Sequence, residues 1–292
     1  MVGAGAGAGV TERSLAVGDI EIGFAEAGAG GRPLLLLHGY TGAKEDFEDF
    51  MAPLADCGWH VVAPDNRGHG ASSKPAAEDH YSLQIFAADT IGLLDALGWE
   101  QAVVVGHSMG GMILQEIALG APGRLAAMVL MDTAHGPVPI DRDLRDGAIH
   151  VARTQGMASL AELLEENEGA LFDNEAAARL RRERPEISLR HYTAMRELSA
   201  GMYVSLAIEL TERPDRLVDL AVIDVPTLVI VGELDEMSMV HSEAMSATIP
   251  GALLVVVADA GHCPQQESPD AWWAAMTAFL DEVSATVLTA PA

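Results

Sequence analysis

The chain has 292 residues, with 17 Lys and Arg against 43 Asp and Glu, so its formal net charge is −26. Apolar residues make up 49% of the sequence, which excludes a disordered chain, and two cysteines are too few for a disulfide framework. The negative charge would repel nucleic acid and anionic lipid headgroups, so neither is expected as a partner. The acidic excess and the low number of lysines, which are Lys44 and Lys74, also fit a protein adapted to high salt.

The first residues read Met-Val-Gly-Ala-Gly-Ala-Gly-Ala-Gly-Val, and residues 1–13 are predicted to form a flexible tail. This segment lacks the basic region and the leucine-rich core of a secretory signal. The sequence has no uninterrupted run of 18 apolar residues, so no transmembrane helix is expected. We therefore expect a cytoplasmic protein.

Short apolar runs alternate with helical patterns from residue 14 to residue 132. This alternation predicts a parallel sheet with helices on both faces. Four consecutive leucines in one run are typical of a strand buried on both faces. Strands are predicted at 20–25, 33–38, 59–63, 101–105 and 125–131, and helices at 44–57, 82–97 and 109–119.

No strand pattern is recognisable from residue 133 to residue 221, and this stretch holds 11 of the 17 basic residues. We interpret it as a helical insertion, because the strand–helix order resumes over residues 222–292. Helices are predicted in the insertion at 160–166, 176–184 and 189–210. After it, strands are predicted at 225–231 and 253–257, and helices at 238–248 and 269–283.

The strongest candidate for a catalytic residue is Ser108, in the sequence Gly106-His107-Ser108-Met109-Gly110. This G-x-S-x-G pattern lies between a strand rich in β-branched residues and a helix, which is the setting of a nucleophile elbow. The glycines let the turn close tightly and hold the serine hydroxyl exposed. The N-terminus of the following helix points at the reaction site, where it stabilises developing negative charge.

A nucleophilic serine needs a base, and the base needs an acid that orients it. Asp235 and His262 each follow one of the last two predicted strands, at the ends where parallel sheets place their functional sites. His262 is therefore the predicted general base and acid, and Asp235 is the predicted orienting acid. Asp132, at the end of the strand that follows the elbow, remains the alternative acid.

The loop His38-Gly39-Tyr40-Thr41-Gly42 follows the four-leucine strand and supplies a further candidate function. A carbonyl under attack becomes an oxyanion that needs two hydrogen-bond donors. The backbone N–H groups of Tyr40 and Met109 are predicted to form this oxyanion hole, and both residues are expected to contact substrate. His38 is interpreted as a structural hydrogen-bonding residue.

Taken in order, these motifs resemble the α/β-hydrolase superfamily from about residue 14 to residue 283. The segment from Asp65 to Ser72, which reads Asp-Asn-Arg-Gly-His-Gly-Ala-Ser, resembles the lidded branch of that superfamily. This branch includes esterases, lactonases, carbon–carbon hydrolases, epoxide hydrolases and dehalogenases. The resemblance implies that Asp65 and Arg67 have structural roles.

The resemblance also implies an α/β-hydrolase fold. Its expected form is a mostly parallel eight-stranded sheet flanked by helices, with a helical lid inserted after the sixth strand. Residues 14–132 and 222–292 would form the two parts of the hydrolase core, and residues 133–221 would form the lid.

The nucleophile type separates the enzymes of this branch. Epoxide hydrolases and dehalogenases attack an sp³ carbon with a carboxylate, whereas the serine at position 108 favours attack on a carbonyl carbon. The predicted function is a serine hydrolase that cleaves carboxylic esters or lactones through an acyl-enzyme. The alternatives are a carbon–carbon hydrolase of ring-cleavage diketones, a cofactor-free perhydrolase, and a ligand receptor with slow turnover.

No cofactor and no metal are expected. The sequence has no H-E-x-x-H pair, no Cys-x-x-Cys and no Gly-rich fingerprint for a dinucleotide or a phosphate. Cys263 lacks an elbow and a base of its own, so it is not expected to be catalytic. The expected partner is a small uncharged or weakly charged ester or lactone, and the sequence leaves a homo-oligomer open.

Overall fold

A computed structural model describes residues 9–167 and 174–286 of the chain. Within these residues the strands form one sheet of eight. They are β1 (Thr11–Val17), β2 (Ile20–Ala27), β3 (Arg32–Leu37), β4 (Trp59–Pro64), β5 (Ala102–His107), β6 (Leu125–Met131), β7 (Thr227–Gly232) and β8 (Leu253–Val257).

The strand order across the sheet is β1-β2-β4-β3-β5-β6-β7-β8. β1 pairs antiparallel with β2, β2 pairs antiparallel with β4, and β3 to β8 run parallel to one another. The carboxyl ends of β3, β5, β6, β7 and β8 therefore meet at one edge, where open α/β sheets place their sites. The predicted mostly parallel, eight-stranded sheet is confirmed.

The predicted flexible tail is wrong at its C-terminal end. Residues 11–13 belong to β1, which pairs with β2 from Thr11 opposite Glu26 to Val17 opposite Ile20. β1 lies at the edge of the sheet, and its first four residues are exposed. Because an exposed edge strand needs few apolar side chains, its sequence shows no apolar alternation that would indicate a strand. Residues 1–8 of the predicted tail lie outside the described residues.

The α-helices of the described residues flank this sheet and fill the connection between β6 and β7. Those before the connection are α1 (Glu48–Asp56), α2 (Leu83–Ala96) and α3 (Met109–Gly120). Those within it are α4 (Arg142–Gln155), α5 (Met157–Glu166), α6 (Glu175–Glu183), α7 (Pro185–Arg196), α8 (Ala200–Glu212) and α9 (Leu217–Leu220). Those after it are α10 (Glu236–Thr248), α11 (Pro264–Glu267) and α12 (Pro269–Thr286).

We call α4 to α9 the helical insertion. The single helix predicted over 189–210 is wrong, because the chain forms α7 and α8 with a break between them. Ser199 makes this break: its hydroxyl caps α8 by accepting a hydrogen bond from the N–H of Met202, and its own N–H donates to the carbonyl of Gly68.

None of the described helices combines the length and the apolar character that crossing a bilayer requires.

The sheet is buried on both faces. In β3, Leu35 and Leu37 join one apolar cluster, Leu34 and Leu36 join the other, and all four are fully buried. α1 and α12 cover one face, whereas α2, α3 and parts of the helical insertion cover the other. Truncating one of these leucines to alanine typically costs about 2–5 kcal/mol, so the sheet is a rigid base for the loops at its carboxyl edge.

Candidate active site

Ser108 lies in a tight turn between β5 and α3. Its backbone has φ 53° and ψ −116°, in the left-handed region that non-glycine residues rarely adopt, and its N–H donates to the carbonyl of Met131 at 2.9 Å. A Cβ atom at Gly106 would overlap the carbonyl oxygen of Gly110, and one at Gly110 would overlap the carbonyl oxygen of Leu37. Both glycines of the pattern are therefore needed by the turn, as the elbow requires.

Ser108, His262 and Asp235 come together from the loops after β5, β8 and β7. Nε2 of His262 lies 3.0 Å from Oγ of Ser108, and Nδ1 of His262 lies 2.6 Å from Oδ2 of Asp235. Oδ1 of Asp235 accepts a hydrogen bond from the N–H of Ser238 at 3.0 Å, at the start of α10. With its proton on Nδ1, His262 can accept the serine proton at Nε2, and this is the geometry of an activated nucleophile.

The Asp235 carboxylate is stabilised in its ionised form. Burial alone would raise its pKa, but the hydrogen bond and charge of His262 and the N–H of Ser238 outweigh burial and lower the pKa of Asp235 to about 2. Asp235 is therefore an anion at neutral pH, able to orient His262 and to stabilise its cation.

Asp132, the alternative acid, takes a different position. It follows β6 with φ 44°, is 1% exposed, and accepts the N–H of Gly232 at Oδ1 with a distance of 2.9 Å. The carboxylate that meets Nδ1 of His262 is that of Asp235. Burial, followed by the nearby charge of Asp235, raises the pKa of Asp132 well above its usual range.

The loop that carries His262 is fixed by groups on β5 and α11. Oε2 of Glu267 accepts the N–H groups of Gly261 and Cys263 at 2.7 and 3.1 Å, on either side of His262. Nε2 of His107 lies 2.7 Å from the carbonyl oxygen of His262, and burial followed by the charge of His262 lowers the pKa of His107 to about 3. The His107 ring is therefore neutral at physiological pH.

Arg179 connects this loop to the helical insertion. From α6 it donates to the carbonyl oxygens of Asp259 at 2.6 Å and of Glu267 at 2.9 Å. The sequence singled out neither Arg179 nor Glu267. Arg179 lies about 80 residues from its partners, so no local pattern marks it, whereas Glu267 falls within one helical turn of Cys263 and offers a weak signal.

The predicted oxyanion loop lies against the elbow. A Cβ atom at Gly39 would come 3.3 Å from Cβ of Ser108. Within the described residues, no hydrogen bond uses the backbone N–H of Tyr40 or of Met109, so both donors are available. The Met109 side chain is fully buried in the core, which leaves its N–H as its candidate contact with substrate.

The side chain of Tyr40 joins the predicted oxyanion loop to α8. Its hydroxyl donates to the carbonyl of Tyr203, and the two rings stack with centroids 5.1 Å apart. Its ring is partly exposed, and its backbone carbonyl accepts from Nε2 of His69 at 2.8 Å. The ring and the carbonyl therefore hold the loop in place while the N–H remains unused.

Asp132, Asp235 and His262 offer oxygen and nitrogen atoms that all lie within 4.8 Å of one another, which is a possible arrangement for a metal ion. The donor set does not suit a metal well, because Nδ1 of His262 and Oδ2 of Asp235 already share a hydrogen bond of 2.6 Å. The cluster therefore consists of two carboxyl groups beside a histidine, with Asp235 in contact with His262 and Asp132 accepting the N–H of Gly232. The predicted absence of a metal or cofactor stays a prediction.

The model of the family described as "alpha/beta hydrolase fold" matches residues 32–269, and the chain belongs to this family. The chain is 28% identical to a thermophilic esterase from Thermogutta terrifontis, with a TM-score of 0.78 over 94% of this chain and 99% of that one. It is 25% identical to an enol-lactonase from Burkholderia xenovorans LB400, with a TM-score of 0.79 over 92% of this chain and 100% of that one.

Among curated relatives, epoxide hydrolase A of Mycobacterium tuberculosis is 38% identical over 122 residues, which are 41% of this chain and 38% of that protein. The chain spans less than two thirds of the length of the curated relatives it matches. Together with the sheet and the family match, these similarities place the chain in the α/β-hydrolase superfamily.

Proposed function

We propose that this protein is a serine hydrolase that cleaves carboxylic esters or lactones through an acyl-enzyme. The observation that carries the proposal is the continuous set of contacts from Oγ of Ser108 through His262 to Asp235, at 3.0 and 2.6 Å. No carboxylate occupies the elbow, so the nucleophile available there is a hydroxyl, which attacks carbonyl carbon.

In the first half of the reaction, Oγ of Ser108 bonds to the carbonyl carbon while Nε2 of His262 takes the serine proton. The carbonyl oxygen becomes an oxyanion, and the N–H groups of Tyr40 and Met109 stabilise it. The carbon–oxygen bond to the alcohol then breaks, and His262 returns the proton to the leaving oxygen. Water then attacks the carbonyl carbon of the acyl-enzyme by the same steps, and the carboxylic acid and free Ser108 are released.

The relatives support a carbonyl substrate. The esterase and the enol-lactonase match the chain over more than nine tenths of both lengths, whereas the epoxide hydrolase matches less than half of either protein. Epoxide hydrolases of this superfamily use a carboxylate nucleophile, and this chain has Ser108 in the elbow. The epoxide hydrolase similarity therefore fits a shared fold better than a shared reaction.

The charges around the motifs favour an uncharged or weakly charged substrate. Nζ of Lys44 lies 3.0 Å from Asp65, and Arg67 donates two hydrogen bonds of 2.7 Å to Asp89. These two cations are committed to structural partners and do not serve as a clamp for a substrate carboxylate. A ring-cleavage diketone, which carries such a carboxylate, is therefore less suited to the site.

The helical insertion is the proposed lid over this site. Its α8 carries Tyr203, which holds Tyr40 of the oxyanion loop, and its α6 carries Arg179, which holds the loop of His262. The lid is therefore attached to two of the loops that form the candidate site. We propose that its inner surface sets the size of the acyl and alcohol groups that the enzyme accepts.

The first test is turnover of p-nitrophenyl acetate, butyrate and octanoate, together with small lactones, by the wild type and by Ser108→Ala. The variant is expected to lose at least about a thousandfold in kcat, because the nucleophile is gone, and to lose labelling by a fluorophosphonate. Ser242→Ala is the matched control: Ser242 is a fully buried serine on α10, and its hydroxyl has no partner among the described residues.

Labelling retained in Ser108→Ala contradicts the assignment of the nucleophile. Labelling of Ser108 without steady turnover of any ester or lactone contradicts the ester or lactone hydrolase function and favours a diketone hydrolase or a receptor with slow turnover. Turnover that depends on Ser108 supports the proposal, and its dependence on chain length measures the acyl site.

A further inference from the structure

The candidate site holds a second buried carboxyl group that the proposed mechanism does not use. Asp132 is 1% exposed. One of its carboxyl oxygens lies within 4.8 Å of a carboxylate oxygen of Asp235 and of a ring nitrogen of His262. We propose that Asp132 is a positioning residue: a neutral carboxylic acid that donates a hydrogen bond to the carboxylate of Asp235. This inference rests on the proposed function only where it concerns catalysis.

The hydrogen bonds of the two carboxyl groups leave one oxygen without a partner. Asp235 accepts from Ser238 at one oxygen and faces Nδ1 of His262 with the other. Asp132 accepts the N–H of Gly232 at Oδ1, whereas its Oδ2 is buried and has no partner among the described residues. A buried polar atom without a partner is costly, and a proton on this oxygen would turn it into a donor beside an acceptor.

The surroundings decide which of the two groups holds the proton. Two carboxyl groups in one buried site do not both ionise readily, because like charges repel at short range. Asp235 is stabilised as an anion by His262 and by the N–H and side chain of Ser238. Within the described residues, Asp132 accepts one hydrogen bond, from the N–H of Gly232. Glu267 on α11 adds further negative charge nearby, which favours a proton on Asp132. The ring of His107, whose centroid lies 5.1 Å from that of His262, is neutral and adds no charge.

The backbone at Asp132 permits a sharp substitution. Its φ of 44° lies in the left-handed region, which Asn and Asp tolerate better than other side chains do. Asn is also the closest shape to a protonated Asp: its oxygen can accept the N–H of Gly232 and its amide can donate to Asp235. Asp132→Asn therefore mimics the neutral acid, and Asp132→Ala removes the donor.

The neutral donor has a defined role in the proposed reaction. It holds the Asp235 carboxylate in one orientation without adding a second negative charge beside His262. The kcat/KM of Asp132→Asn is expected to stay within about threefold of the wild-type value. The pH at which kcat/KM declines on the acid side reports the base of the free enzyme, and this pH is expected to stay the same in the variant. In Asp132→Ala, kcat should fall about tenfold to a hundredfold at similar KM, because a hydrogen bond to a charged group is lost.

The opposite assignment predicts a different profile. If Asp132 were an anion, Asp132→Asn would remove a negative charge near His262, and the acid-side decline would shift to lower pH by about one unit or more. That shift overturns the proposal. Equal activity of the Ala and Asn variants overturns the positioning role.

A second measurement tests the protonation without any activity. In the unfolded chain, Asp132 loses its proton above about pH 4, whereas in the folded protein it keeps the proton. Because the folded state then binds more protons, wild-type stability falls with rising pH relative to Asp132→Asn, whose amide does not titrate. The difference in urea midpoint between this variant and the wild type should therefore grow from pH 4 to pH 7.

Asp259→Asn is the matched control for an Asp-to-Asn change at positive φ, because Asp259 has φ 55° and an exposed side chain. A constant difference for Asp132→Asn overturns the neutral acid even if the hydrolase function holds. A growing difference supports it even if the Ser108 experiments fail, so the two outcomes are distinguishable.

Discussion

Two aspartates of the candidate site receive opposite charge states from their surroundings. Asp235 faces His262 and the N–H of Ser238, and its pKa falls to about 2 although burial opposes this. Asp132 faces mainly another carboxyl group, and burial, followed by the charge of Asp235, raises its pKa. The separation follows from hydrogen-bond partners, because both side chains are buried to a similar degree.

At the residue scale, Asp235→Asn should be far more damaging than Asp132→Asn. An amide at position 235 can donate to Nδ1 of His262 and thereby favour the wrong tautomer, so kcat should fall by about 10³–10⁴-fold. The measurement is kcat for p-nitrophenyl butyrate for both variants side by side. Comparable losses in the two variants would contradict the assignment of Asp235 as the orienting acid.

At the element scale, the helical insertion and the loop of His262 share a set of contacts. Arg179 on α6 donates to the carbonyl of Asp259 in that loop and to the carbonyl of Glu267 at the end of α11. The side chain of Asn174, which caps α6, fills the space beside Gly261. The insertion is thus joined directly to the loop that carries the proposed base. A change in the position of α6 would therefore move His262 as well.

Arg179→Ala should lower kcat by about tenfold, because the loop of His262 and the adjoining helix α11 each lose a hydrogen bond from a charged group. The rate of fluorophosphonate labelling at Ser108 should fall in the same proportion, since both reactions need the base in place. Arg182→Ala is the matched control, because Arg182 lies on the same helix with 69% of its side chain exposed. Equal effects of the two variants would show that α6 does not position His262.

At the scale of the whole molecule, the net charge of −26 sets the electrostatic free energy of the folded state. Pairs such as Arg153 with Glu78 and Arg184 with Asp49 offset part of this charge at the surface. The acidic groups outnumber the basic ones by far, so repulsion among them remains the larger effect and opposes folding into a compact state.

Salt should therefore stabilise this protein. The Debye length shortens from about 10 Å at 0.1 M to about 3 Å at 1 M ionic strength, which screens repulsion across the surface. The urea midpoint is expected to be higher in 1 M than in 0.1 M NaCl, and KCl should act alike because screening depends on ionic strength. A midpoint that falls with salt would mean that the surface ion pairs outweigh the repulsion.

Much of the fold could be predicted because its signals are local. Apolar runs such as Leu34–Leu37 and the repeated return to helical patterns predict a parallel sheet without knowledge of any long-range contact. The parts that were missed lack such signals: β1 is a polar edge strand, and the break between α7 and α8 depends on a hydrogen bond from Ser199 to Gly68, which is distant in sequence.

The sequence by itself determined the elbow, because the glycines that its turn requires lie next to Ser108 in the chain. It also marked Asp235 and His262 as residues that follow strands at one edge of the sheet. Only the tertiary structure decided which carboxylate meets His262, since Asp132 and Asp235 both end at that edge and the choice depends on a contact of 2.6 Å between separate loops. The attachment of Arg179 was decided in the same way, because packing brings together groups that sequence distance separates.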